Sequence, residues 1–436
     1  MNRARAVSKW VSLLLIPGMI FVGGMYAAHK NWAVFRATLW VTNSAQTLVQ
    51  ERANLMGTEP IHFLRPARYP GKAVTVNDPA AGPDDLILLT GFLEDDNKAR
   101  LIRRDGTLVN EWRLRASDLL PDPARCREPP MTDWNALTHG ALLTPDGDIV
   151  VSFESCATVR MDRCGKVQWA TDDLTHHSPN FLADGGVVIA GGEYVDRATK
   201  DLPWPFSGPY WEDLVLTFNS GGTVQTRVAA TEMFKANDMA ALLNSGSAFE
   251  TRVDGEFHLN DIEELSPELA AAFPMFAAGD LLLSFRNLNM LVVTDATATK
   301  VKWFHVGPWV RQHDPDFDPD GTITLFDNHT DNSLDGSREG GSRILRIDPA
   351  TNVVTTVYGG REAQHFYSAE RGTHQMLDGG DTMITEAQAG RAFQVDNAGR
   401  IVWSYVNRWD ADRTAWLHDA EVYPRDFFRI ADWTCP

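Results

Sequence analysis

Positive charge is scarce in this chain. Its 436 residues carry 40 Lys and Arg against 58 Asp and Glu, a formal charge of -18. A nucleic-acid ligand needs a basic footprint, so that class of partner is excluded. Any anion site must be a local cluster of Arg, Lys or His set against a repulsive overall field. Cysteine is also sparse. Cys126, Cys156, Cys164 and Cys435 are too few for a disulfide scaffold, and their spacing matches no zinc pattern. They suit an oxidising compartment with one or two structural disulfides, and three pairings stay open. No GxSxG is present, which argues against an α/β-hydrolase serine, and no GxxxxGK[ST], which argues against a nucleotide-cradling loop. No HExxH appears either, so spacing points to no metal and no cofactor.

Long apolar runs are missing except for one. Trp10 to Ala28 holds 19 residues without a charge, behind Arg3, Arg5 and Lys9. That length spans a bilayer as a helix with its N-terminus cytoplasmic, and Trp10 and Tyr26 sit like interfacial anchors. A cleaved signal peptide ending near Ala27-Ala28 is the alternative. Either reading delivers the rest of the chain across the membrane. Residues 1–30 are therefore expected as anchor or signal, and residues 31–84 as a juxtamembrane linker with a helix over Asn31–Met56. The propeller domain described next is expected over residues 85–436.

What is abundant is short apolar runs split by Asp-Gly turns, a hairpin signal. With 44% hydrophobic and 22% charged residues, the composition is that of a globular protein. Stacking the runs shows a repeat. HGALLTPDGDIVVSF begins at His139, HSPNFLADGGVVIAG at His177 and HDPDFDPDGTITLF at His313. THQMLDGGDTMITE around His374 has the same turn with the histidine two residues closer, and His258 and His418 open looser copies. A second half follows each, in an Asp-x-x-Gly-x-x-x-Trp frame seen at Asp162–Trp169 and Asp396–Trp403. Each unit thus supplies two hairpins, at a period of roughly 40–60 residues, which signals a β-propeller. Six units are counted. The first, residues 86–112, lacks its histidine strand, and the last, from His418, lacks a second half. Joining them closes the ring and leaves no free sheet edge. The fold class is therefore all-β, a six-bladed propeller behind one N-terminal transmembrane helix.

First strands of propeller blades begin near the axis, so His139, His177, His258, His313, His374 and His418 are expected to converge on an axial funnel. Neutral imidazole can act there as nucleophile or base, and a cationic neighbour can stabilise oxyanion charge.

The pieces HLND, GDLLLSFRN, VKWFHVGPWVRQHDPDF, LFDN and LDGGDTMITEAQAGRAFQVDNAGRIVW, in this order, resemble the bacterial arylsulfotransferase family. The resemblance implies an exported, membrane-associated propeller in the periplasm, which moves a sulfuryl group between phenols without a nucleotide donor. It implies a sulfated-histidine intermediate, with two further histidines and an arginine holding the sulfuryl oxygens. Carried over, His258 and His313 are the clamps, and the arginine is Arg338 or Arg343, with Arg338 preferred for its Gly-rich loop. The nucleophile is His374 by repeat position or His365 by its place before Phe366-Tyr367-Ser368. Partners implied are aryl sulfates and phenols, the membrane, and a homodimer or membrane-complex subunit. A non-catalytic propeller serving as an anchored binding subunit, and a hydrolase using water as acceptor, are the competing readings.

Overall fold

The computed structural model describes residues 19–30, 32–82, 84–196, 210–244 and 257–435. It divides into two compact units, Met1–Ile61 and His62–Pro436. Trp10–Gly18, the first nine residues of the apolar segment Trp10–Ala28, lie outside the described residues. Among the described residues no helix is long and apolar enough to cross a membrane. The helix expected over Asn31–Met56 is present as Ala33–Leu55 in the first unit.

The second unit is a propeller of six antiparallel sheets. Blade 1 pairs the C-terminal strand Leu417–Tyr423 with Leu86–Leu93, so the ring closes as the half-repeats require. Blades 2 to 5 take their inner strands from Thr138–Leu143, Leu174–Phe181, Leu259–Glu264 and His313–Phe317, and blade 6 from Thr373–Met376. Each inner strand contacts the next around the axis, and the sixth contacts the first.

Burial follows position within a blade. The second strands, such as Leu86–Leu93, Ile149–Phe153 and Leu281–Phe285, are buried at every residue. They lie between two neighbouring blades, so apolar side chains on both faces find partners. The outer strand Val167–Ala170 is exposed to half-buried. The repeated tryptophan has a physical purpose here. Trp112 Nε1 donates to the Asp162 carbonyl at 3.0 Å, Trp169 Nε1 to that of Ser220 at 3.0 Å, and Trp403 Nε1 to that of Arg104 at 2.8 Å. Each indole therefore staples one outer strand to the hairpin turn of the next blade. The turn glycine is required where backbones crowd. Gly321 has φ +82°, and a Cβ there would stand 2.5 Å from the Ala272 carbonyl oxygen.

Residues 62–84, expected as linker, contribute strands to the propeller unit. Leu64–Pro66 pairs with Arg413–Ala415, and Ala73–Asn77 adds a fifth strand to blade 6. Between them Arg68 donates to the carbonyls of Tyr367 (2.6 Å) and Leu334 (2.7 Å) and to the buried Glu386 carboxylate (3.2 Å). The Pro-rich composition hid these short strands, because neither follows a long alternating pattern. The cysteines pair as Cys126–Cys156 and Cys164–Cys435, which selects one of the three pairings and ties the C-terminal tail to blade 2.

Candidate functional site

Five inner strands slip register once near the axis: between Thr138 and Ala141, His176 and Asn180, Leu259 and Asp261, His313 and Asp316, and Leu417 and Asp419. Such a bulge leaves residues out of the ladder and re-aims their side chains. His139, His177, Asn260, Asp314 and His418 fall within these slips. Two of the histidines also adopt left-handed backbone, His177 with φ +64° and His258 with φ +60°. Strain of this kind persists only where the surroundings impose it.

The side chains so turned meet in one small axial cavity, lined among others by His139, His177, Asn260, His313, Arg371 and His418. The His177 ring is the hub, 4.5 Å from His139, 4.9 Å from His258 and 6.4 Å from His313 between centroids. Five of the six expected histidines therefore converge.

Burial fixes their charge and hydrogen-bond partners fix their tautomers. Desolvation pushes the His313, His418 and His177 imidazoles well below the usual histidine range, helped by Arg286, Arg371 and His139 respectively. His139 is pulled down to about 4 by burial and Arg371, and it bonds the Glu154 carboxylate through Nε2. All four are neutral near pH 7. His313 Nδ1 faces two acceptors, the Asn328 Oδ1 at 2.6 Å and the Arg311 carbonyl at 3.1 Å. The Asn328 amide cannot turn round, because its Nδ2 donates to the carbonyls of Ser368 (2.8 Å) and Arg371 (2.5 Å). Nδ1 of His313 therefore holds the proton, and Nε2 carries a lone pair. His418 is the opposite case. Its Nδ1 accepts from Arg371 Nη1 at 2.9 Å, so its proton sits on Nε2, which is buried without a hydrogen-bond partner among the described residues. The residues lining the cavity thus include a neutral imidazole with a free lone pair, one with a free N–H, a guanidinium and two carboxylates, Asp261 and Asp314.

Arg371, which also lines the cavity, is absent from the residues expected there. Its Nη1 also donates to the Thr138 carbonyl at 2.7 Å, and its Nη2 lies 3.8 Å from Glu154. It precedes the blade 6 strand in a left-handed turn, φ +60°, and the histidine repeat carries no signal for it.

Four candidate site residues stand elsewhere. Arg338 is exposed, and its guanidinium donates to the Asp331 carbonyl at 3.3 Å. Arg343, the alternative, is held by the Asp327 carboxylate at 2.5 Å. His365 is exposed and bonds the Asp335 carbonyl at 2.7 Å through Nε2. His374 is buried behind Asp314, which lines the cavity, with Nδ1 3.0 Å from that carboxylate. The blade 6 inner strand runs from Thr373 to Met376 without a register slip, so its histidine keeps the ordinary strand alternation and is not turned to the axis.

No curated protein matches this chain. Similar solved structures include a protein of unknown function from Bacteroides caccae, at 12% identity over 78% of this chain and 98% of that one, TM-score 0.48. Another is a streptogramin B lyase, at 11% identity over 79% and 88%, TM-score 0.42. A virginiamycin B lyase from Staphylococcus aureus matches at 12% identity over 67% and 85%, TM-score 0.37. The sequence model of the arylsulfotransferase (ASST) family matches residues 140–408, well over half of the chain and five of its six blades, and this chain belongs to that family.

Proposed function

We propose that this chain transfers a sulfuryl group from an aryl sulfate to a phenol in the axial cavity, with His313 as nucleophile. One observation carries the choice: Asn328 and the Arg311 carbonyl hold the proton of a neutral His313 on Nδ1, leaving the Nε2 lone pair in the cavity. In the first step Nε2 attacks sulfur, the N–S bond forms, and the S–O(aryl) bond breaks with its electron pair leaving on the phenolate. The sulfated imidazolium keeps its Nδ1 proton, which Asn328 accepts as a hydrogen bond. In the second step a phenol oxygen attacks sulfur, its proton passing to a base or to water, and His313 is released neutral. In this reading Arg371 and the Nε2–H of His418 bond the sulfuryl oxygens, whose charge shifts during transfer. His258, beside His177, belongs to the same wall.

The proposal includes export across the bacterial inner membrane to the periplasm, with Trp10–Ala28 as a single-pass anchor. Pairing of all four cysteines supports an oxidising compartment. Membrane fractions washed with alkaline carbonate should retain the chain; its release would refute the anchor.

The direct test incubates the protein with p-nitrophenyl sulfate and a phenol acceptor. Phenol-dependent release of p-nitrophenol, abolished in His313→Ala, is expected. Release without phenol dependence would indicate hydrolysis instead. One observation favours a non-catalytic binding subunit: neither His374 nor His365 lines the cavity. Absence of turnover together with a stoichiometric partner from native membranes would establish that reading.

A further inference from the structure

On one side the lining of the axial cavity turns acidic, with Asp261 and Asp314 beside the histidines. On the inner strand of blade 5, the slip between His313 and Asp316 brings Asp314 close to Asp316, and His374 approaches both from blade 6. One ligand atom from each lies within 4.8 Å of the others. Clustered carboxylates alone indicate nothing, but the histidine is unusual. Its side chain is wholly buried, at 0% exposure. Its Nδ1 and main-chain N–H both point at Asp314 Oδ2, at 3.0 and 2.5 Å. With Nδ1 donating, Nε2 carries the lone pair, and that atom is buried without a hydrogen-bond partner among the described residues.

Nε2 faces Asp316 Oδ2 across 3.7 Å. The gap is too long for a hydrogen bond. It is close to the separation of two ligands on one metal, roughly 3.4 Å for tetrahedral bonds of about 2.1 Å. A carboxylate that takes the far proton of an imidazole, leaving the near nitrogen for a metal, is the usual second-layer support of a metal ligand.

We propose that His374 Nε2 and Asp316, oriented and completed by Asp314, form an axial binding site for a divalent transition-metal ion joining blades 5 and 6. An imidazole among carboxylates favours Zn²⁺ over Mg²⁺. The motif search could not find this site because its ligands come from two blades. The proposal stands whether or not the axial cavity transfers sulfuryl groups.

The test uses the full chain, stripped with chelator and dialysed, then titrated with Zn²⁺ by calorimetry and assayed for bound metal. One tight equivalent is expected. His374→Ala and Asp316→Asn should each weaken it at least 100-fold, and His365→Ala should leave it unchanged. Zn²⁺ should also raise the melting temperature of the wild type but not of either weakened variant. The competing cluster is His139, Glu154 and His177. Loss of binding in His139→Ala with full binding in His374→Ala would overturn the assignment. So would the lack of any stoichiometric Zn²⁺, or binding of Mg²⁺ in preference to it. Should His374→Ala fail to fold, Asp316→Asn alone decides.

Discussion

Blades 5 and 6 carry inner-strand histidines of similar sequence setting and opposite fate. His313 lies at a register slip, meets Asn328 and faces the cavity. His374 lies on an unslipped strand, meets Asp314 and is buried behind it. One bulge residue separates a cavity-lining position from an interior one. Histidine at the right repeat number is therefore not sufficient; the ladder has to break for its side chain to reach the axis.

The largest effect that bears on this comparison is removal of each histidine in turn. His313→Ala should lower kcat on the order of 10³-fold or more, the usual scale for loss of a nucleophile. His374→Ala in the same assay should keep transfer within about tenfold, since it reaches the cavity only through Asp314. A reversed order would break the comparison. Next, Arg371→Ala should cost about 10²-fold in kcat/KM, as loss of an oxyanion donor does, with Arg371→Lys recovering part of it. Equal losses in Arg338→Ala would return the clamp to that exposed loop.

Asn328→Ala tests how His313 is held. Loss of the orienting acceptor should lower kcat by about 10- to 100-fold. The pH profile separates this from simple misfolding. A neutral nucleophile whose imidazole is held well below the usual range stays active as pH falls through about 6.5. Asn328→Asp places a carboxylate against Nδ1, which raises the imidazole pKa and moves the acid limb to higher pH. An unmoved limb would show that His313 does not control it.

The smallest effect concerns stability. Burial, with repulsion from Asp318 and Asp314, raises the Glu263 carboxyl to about 8. The folded chain then binds its proton more tightly than the unfolded chain, so stability drops as pH climbs from the ordinary carboxylate range to about 8. In chelator-treated protein Glu263→Gln should gain about 1 kcal/mol over wild type at the alkaline end of that range and little near pH 5. Denaturant melts at the two pH values measure it. A gain that does not grow with pH would show that the channel carboxylates are already neutralised.

What the sequence disclosed follows from locality. Asp-Gly turns and the Trp frame act within one hairpin or on the next turn, so the six blades and the closure by Leu417–Tyr423 were legible from spacing alone. The gathering of His139, His177, His258, His313 and His418 was legible for the same reason. The bulges were not, since each is one unpaired residue whose count is absorbed by neighbouring loops. His374 was misplaced on that account. Arg371 and Asn328 come from the loop before one strand and the end of another, and only the assembled ring brings them to His418 and His313. The strap at Arg68 and Glu386 was hidden similarly, by partners 318 positions apart.

The most direct measurement is to expose the protein briefly to an aryl sulfate without acceptor, quench under alkaline conditions that preserve N-sulfo groups, and map the sulfated peptide by mass spectrometry. One sulfuryl group on the His313 peptide, absent in His313→Ala and discharged by added phenol, is the predicted result. A sulfuryl group on His374 or His365, or turnover with no modified histidine, would contradict it.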